Sequence, residues 1–176
     1  MATWNSRGLR GNFLEELINF SNEKYRAQGL GLVQKIPTPI KPIKIDESTS
    51  QITLAYFEQK STVDYIGVVQ GNAICFDAKE CAVERFALSN IHKHQLDFME
   101  AFEKQRGISF FLLYFKSKDC FHYVPYDRVR SFWNRMESGG IKSFHIDELE
   151  PQFEISAYSG TFVHYLEKIN LDLLRR

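Results

Sequence analysis

No stretch of this sequence is apolar for long enough to cross a bilayer as a helix. The longest strongly apolar run, Ile108–Phe115, falls far short of the roughly 20 residues that a spanning helix needs. The N-terminal Met1-Ala2-Thr3-Trp4-Asn5-Ser6-Arg7 lacks the hydrophobic stretch of a signal peptide, so a cytosolic protein with no membrane partner is expected. Cysteine is scarce and uneven: Cys75, Cys81 and Cys120 show no Cys-x-x-Cys spacing. That argues against a disulfide framework and a zinc ribbon, and suits reduced thiols in or near the core. A Walker loop and a dinucleotide-binding glycine motif are both absent, so a hydrolytic reaction would need no nucleotide. No repeat, low-complexity tract or composition break divides the chain, and its 176 residues read as one domain, 1–176, large enough for a real core. Net charge is lacking too. With 22 basic residues against 22 acidic ones, any footprint for nucleic acid must be segregated onto one face.

What the chain does contain is a short charged hairpin. Two apolar-rich runs, Val63–Gln70 and Ala73–Lys79, flank Gly71-Asn72, a two-residue hairpin signal because glycine accepts the positive φ that such turns require. With Gln70 facing Ala73 across the turn, Asp64 faces Lys79 and Ile66 faces Asp77. Side chains alternate with period two, so Asp64, Ile66, Asp77 and Lys79 project from one face, with Asp64 opposite Lys79 and diagonal to Asp77. Two carboxylates and an ammonium are costly to bury unless something offsets them, and a divalent cation between the acids is the usual means. Oxygen ligands suit Mg²⁺. Asp64, Asp77 and the Ala78 carbonyl can hold it, while Lys79 orients or activates the attacking water and offsets charge developing on a phosphate. That is the chemistry of phosphodiester hydrolysis. The same spacing also fits a surface hairpin with a cross-strand Asp–Lys pair, and the short pattern does not choose between them.

An acid, a variable gap and then acid-x-Lys on the following strand resembles the signature of the PD-(D/E)xK nuclease superfamily. An ordered series of further blocks narrows the match: Arg10-Gly11 with Leu14-Glu15, Ser21-Asn22, Pro37-Thr38-Pro39-Ile40, Ala55-Tyr56-Phe57, Ser61-Thr62-Val63-Asp64-Tyr65, Asn90-Ile91-His92-Lys93-His94-Gln95, and Phe132-Trp133 followed by Gly139-Gly140. Over nearly the whole chain these look like the RecU family of Holliday junction resolvases. The resemblance implies a restriction-endonuclease-like α/β fold, with a mixed central β-sheet flanked by helices and a stalk protruding over about 41–55. It implies a homodimeric, Mg²⁺-dependent endonuclease, with Mn²⁺ as a substitute ion, that cuts four-way junction DNA symmetrically and has recombination proteins as candidate partners. Asp64, Asp77 and Lys79 then fall at the family's catalytic acid, acid and lysine positions. Glu15 matches the acid of its first helix, and Gln95 the glutamine of the helix after the lysine strand. The second acid of the family is often Glu, so the shorter Asp77 implies altered metal geometry. Asp46-Glu47-Ser48-Thr49-Ser50 is acidic and hydroxylic where resembling proteins carry a basic stalk.

The remaining pattern reads α, irregular, β, β, β, α, β, β, α and a C-terminal helix. Asn12–Gln28 carries Leu14, Leu17, Ile18 and Tyr25 on one side, with Gly29 as its stop. Glu15, beside that stripe, either reaches the metal face or is an exposed acid favoured by the helix dipole. Pro37, Pro39 and Pro42 hold the next stretch extended, and Ile52–Gln59 reads as a strand. Ser89 is placed to cap a helix running to Arg106, with Ile91, Phe98 and Phe102 on its apolar side. Gln95, on that side too, must find partners at the site or in neighbouring backbone. His92 and His94, two apart on the same expected helix, should point to different faces, cannot easily share a metal, and are assigned no catalytic role. Ile108–Phe115 reads as a strand buried on both faces beside the Lys79 strand, reached by a right-handed crossover. Tyr126–Ser138 and Phe162–Leu174 read as helices, and Phe132-Trp133 suits the core better than a DNA base. Basic residues gather at Arg7 and Arg10, Lys35, Lys41 and Lys44, Lys116 and Lys118, and Arg128–Arg135.

Three functions stand open at this point: a junction-resolving endonuclease, a restriction- or repair-type nuclease of the same superfamily, and a non-catalytic DNA-binding recombination modulator. The intact Asp64, Asp77 and Lys79 set argues against the third.

Overall fold

A computed structural model describes residues 13–58, 62–155 and 163–176. Helix α1 (Phe13–Ala27) buries Leu14, Ile18 and Tyr25 at helical spacing, and Gly29 ends it at φ 69°, a conformation that a Cβ disfavours. Five strands precede the next long helix in the first half of the chain: β1 (Gly31–Lys35), β2 (Ile40–Asp46), β3 (Gln51–Phe57), β4 (Tyr65–Val69) and β5 (Asn72–Cys81), followed by the short β6 (Arg85–Ala87). Helix α2 (Lys93–Lys104), strands β7 (Ile108–Phe115) and β8 (Cys120–Pro125), helix α3 (Tyr126–Glu137), strands β9 (Ser143–His145) and β10 (Glu154–Ile155) and helix α4 (Leu166–Arg175) complete it.

The main sheet runs β1-β4-β5-β7-β8-β10. Strands β5 and β7 are parallel and the other neighbours antiparallel, so the sheet is mixed, as expected. Alternation along β5 sorts its side chains between two cores. Ile74, Phe76 and Ala78 pack with α1 and with Leu166 and Ile169 of α4. Cys75 and Cys81 pack on the other side with Leu96 and Met99 of α2 and Val129, Phe132 and Trp133 of α3. An aromatic row crosses the first core: Tyr65 stacks on Phe76 at 4.7 Å, Phe76 on Phe110 at 4.7 Å and Phe110 on Tyr123 at 4.3 Å. Each such pair is worth about 0.5–1.5 kcal/mol beyond the area it buries. β7 is buried on both faces beside β5, as its unbroken apolar run predicts.

Strands β2 and β3 form a separate ribbon whose residues are almost all exposed. This is the stalk. Its pairing slips between Pro42 and Ile45, because proline has no N–H to offer a ladder. At the tip, Asp46 Oδ1 accepts the Ser48 N–H at 2.9 Å and its hydroxyl at 2.6 Å, which fixes the turn locally.

The structure corrects several expectations. The hairpin turns at Gln70-Gly71, at φ 48° and 85°, so Val69 faces Asn72. A turn with two positive φ values favours glycine in second place, and the Asn72 amide bonds back to Val69 and Gln70 carbonyls. The pairing therefore shifts by two. Parity is preserved, so the same side chains still share a face, but Asp64 lies level with Asp77 and diagonal to Lys79. The helix after the lysine strand starts at Lys93 and is capped by His92, and Ser89 sits in a short 3-10 turn, Leu88–Asn90. The C-terminal helix begins at Leu166; Phe162, its expected start, lies outside the described residues, as does Gln59. The stretch read as irregular contains β1 and β2, whose pairing comes from partners distant in sequence for β1 and from an irregular ladder for β2.

Gly67 is where β1 presses hardest on β4. A Cβ there would fall on the Leu32 carbonyl and the Val33 backbone, so Gly67→Ala is predicted to destabilise the fold by about 1–3 kcal/mol. Chemical denaturation checks this, and an unchanged midpoint would refute it.

Candidate active site

The site grows from the end of one ladder. β4 pairs with β5 as far as Tyr65 opposite Phe76, and the Asp64 carbonyl then accepts the Ile36 N–H at 2.8 Å, which leads the chain away. Its carboxylate stays: Asp64 Oδ2 accepts the Ala78 N–H at 2.9 Å. A side chain thus replaces the strand that would have satisfied this donor. In an extended strand a residue's N–H and C=O leave by the same edge, so the Ala78 carbonyl faces the gap beside Asp64.

Asp77 is fully buried. Its Oδ2 takes two donors, Lys79 Nζ at 2.7 Å and Gln95 Nε2 at 2.6 Å. Lys79 Nζ also stands 3.8 Å from Asp64 Oδ2. Gln95 is held in turn, because its Oε1 accepts the His92 N–H at 3.0 Å in a box that caps α2. Asp77 Oδ1 is different. It is buried and has no hydrogen-bond partner among the described residues, which is costly for a carboxylate oxygen unless a cation meets it. Burial, and next the adjoining Asp64 carboxyl, push Asp77 well above the usual carboxylate range against the pull of Lys79. Burial alone would lower Lys79, but the charges of Asp77, Asp64 and Glu15 outweigh it, and its ammonium is held above the usual lysine range. Two acids and one cation leave an excess negative charge, which a hard divalent ion on oxygen ligands fits.

Of the residues singled out in the sequence, Asp64, Asp77, Ala78, Lys79 and Gln95 come together. Glu15 does not join them directly: it binds Lys35 Nζ at 2.6 Å, and reaches the others only through its charge on Lys79. Lys35 was visible only as one of several basic positions, since β1 is placed by pairing with β4. His92 and His94 do not diverge as helical spacing predicts. His92 is the extended cap and not part of the helix, so the two rings stack at 5.4 Å. Phe132 and Trp133 are core, with Phe132 stacked on Phe144 at 4.4 Å. Many basic positions are neutralised: Lys116 pairs with Glu80, Lys118 with Glu84 and Arg135 with Glu148. Lys41 and Lys44, on the β2–β3 ribbon, have no ion pair among the described residues, while Arg7 and Arg10 lie outside these.

The model of the family described as Recombination protein U matches residues 9–171. The chain belongs to the RecU family. It is 37% identical over 168 residues to a protein of Pediococcus pentosaceus named Holliday junction resolvase RecU, covering 93% of this chain and 84% of that one. A protein of the same name from Listeria innocua is 38% identical over 147 residues, covering 81% of this chain and 73% of the relative. Another, from Lactococcus lactis subsp. cremoris, is 38% identical over 168 residues, covering 93% and 78%. No helix of the described residues is long and apolar enough to cross a membrane.

A carboxyl whose folded pKa is raised contributes stability that is complete below its unfolded value and lost as pH rises through the folded one. Asp77 therefore costs stability at alkaline pH. With chelator present, Asp77→Asn is predicted to melt at or above the wild-type temperature at pH 8, by roughly 2–4 °C for each kcal/mol relieved, and the difference should shrink toward pH 5. A variant that melts well below wild type at pH 8 would contradict this.

Proposed function

We propose that this chain is a cytosolic, homodimeric, metal-dependent endonuclease that resolves Holliday junctions, acting alongside recombination proteins. What supports the reading is family membership together with one observation, the unpartnered buried oxygen of Asp77 beside Asp64 and Lys79. Asp64, Asp77 and the Ala78 carbonyl are the residues to hold a divalent ion, Mg²⁺ first and Mn²⁺ as a substitute. There it would supply Lewis-acid polarisation of the scissile phosphate and a more nucleophilic bound water.

The protein's own groups do the rest. Gln95 and Lys79 both bond to Asp77 Oδ2, which fixes the carboxylate plane and leaves Oδ1 for the ion. The Lys79 ammonium supplies positive charge where the phosphorane develops negative charge, and that needs no reorganisation at the moment of reaction. Asp64 keeps Oδ1 for a ligand while Oδ2 holds the Ala78 amide. Glu15, paired with Lys35, tunes Lys79 from a distance. In a twofold dimer two such sites can cut symmetry-related strands.

Asp64→Asn and Asp77→Asn are each predicted to abolish Mg²⁺-dependent cleavage of a synthetic four-way junction while leaving binding nearly unchanged. Lys79→Ala should cut the rate about 10²–10³-fold at saturating Mg²⁺, with no rescue by further metal. Normal cleavage by both Asn variants would remove the site assignment. Wild-type protein that cuts linear duplex or flaps as fast as junctions would favour a restriction- or repair-type nuclease instead.

The stalk gives a second test. Lys41 and Lys44 lie along β2 while Asp46 and Glu47 occupy the tip. Asp46 also bonds to Ser48, so Glu47→Lys is the cleaner probe. It should tighten junction binding and steepen the salt dependence by roughly one unit of slope, more for junctions than for linear duplex. Equal gains on both substrates would mean that the tip does not enter the junction.

A further inference from the structure

Two strands away from the acid cluster, on the same face of the sheet, the register assembles a second set of ligand side chains. Lys79 is level with Leu113, Leu113 with His122 and His122 with Glu154, so β7 separates the two groups. Cys120 precedes His122 by two residues on β8 and shares its face. One ligand atom each from Cys120, His122 and Glu154 lies within 4.8 Å of the others, and Cys120 Sγ is 3.7 Å from His122 Nδ1. All three line an open cavity of about 410 Å³, bordered also by Lys118, Asp147 and Leu149. His122 is 3% exposed, and its Nε2 is buried with no hydrogen-bond partner among the described residues.

We propose that Cys120, His122 and Glu154 form a site for a borderline-soft divalent transition metal, with Zn²⁺ first, and with a fourth position open to water from the cavity. Thiolate, imidazole and carboxylate form a mixed donor set that Zn²⁺ accepts and hard Mg²⁺ avoids. The two sites therefore select different ions. Tetrahedral Zn²⁺ at ordinary bond lengths needs its ligand atoms roughly 3.3–3.8 Å apart, so the observed cluster closes onto an ion by small side-chain rotations. As the sulfur–metal bond forms, the thiol proton leaves to solvent, and binding tightens as pH rises. The ion would also join β8 to β10, whose pairing among the described residues is Glu154 with His122 and Ile155 with Phe121. None of this depends on the nuclease reading.

The test is a Co²⁺ titration of the full chain in excess Mg²⁺. A thiolate-to-cobalt charge-transfer band should appear at one equivalent and be displaced by Zn²⁺. It should vanish in Cys120→Ser and persist in Cys75→Ser, the control because Cys75 shares the face of Asp77. Glu154→Gln should weaken binding on the order of 10–100-fold, the range that even outer-shell partners command. In the unaltered protein, Zn²⁺ should slow alkylation of Cys120 as read by mass spectrometry, a measurement that no misfolded variant can compromise. Absence of the band, its survival in Cys120→Ser, or alkylation of Cys120 at the same rate with and without Zn²⁺ would each overturn the site.

Discussion

The candidate centre depends on where a β-ladder stops. β4 releases β5 after the Tyr65–Phe76 pair, and Asp64 turns its carboxylate onto the Ala78 amide. An unsatisfied N–H at that depth would cost about 1–3 kcal/mol, so Asp64 is needed by the fold before any chemistry is considered. The same event frees the Ala78 carbonyl and lets Lys79 lie across both acids. Had β4 run on, backbone would fill the gap beside Asp64 and Asp77, where the proposed ion and phosphate would sit. The aromatic row behind Asp77, from Tyr65 through Phe76 and Phe110 to Tyr123, makes the strand that carries Asp77 and Lys79 hard to displace.

Much of this was legible in the sequence because period two is robust. A turn placed one residue late moved the pairing by two and left Asp64, Asp77 and Lys79 on one face. The buried β7 and the helices α1 and α3 followed from apolar runs and helical spacing. What could not be read was decided by partners distant in the chain. β1 is a strand because β4 lies beside it, and Lys35 consequently meets Glu15. Ser89 has a capping side chain, yet the helix takes His92 as its cap because Gln95 closes the box from inside. No spacing rule relates His122 to Glu154, since β10 reaches β8 only across the folded sheet.

Charge balance in the composition has a spatial counterpart. Arg175 pairs with Asp127, Arg176 with Glu103, Arg135 with Glu148 and Lys116 with Glu80. Partly exposed pairs of this kind contribute about 0–1 kcal/mol each, so their larger effect is on the field around the molecule. Neutralised at short range, they leave little attraction beyond a Debye length of about 10 Å. Lys41 and Lys44 are among the basic side chains that have no ion pair among the described residues.

Those two lysines sit on a ribbon of two strands with almost every side chain in water and a proline in its ladder. A lone pair of strands is marginal in water. Its backbone is the cheapest part of the molecule to reshape, and the part that loses most freedom when something grips it. Ile43, Ile45, Ile52 and Leu54 are about half exposed there, so association would recover apolar area as it spends that entropy. On the proposed reading, the ribbon would take its final shape from the DNA it meets, while the site stays on the six-stranded sheet.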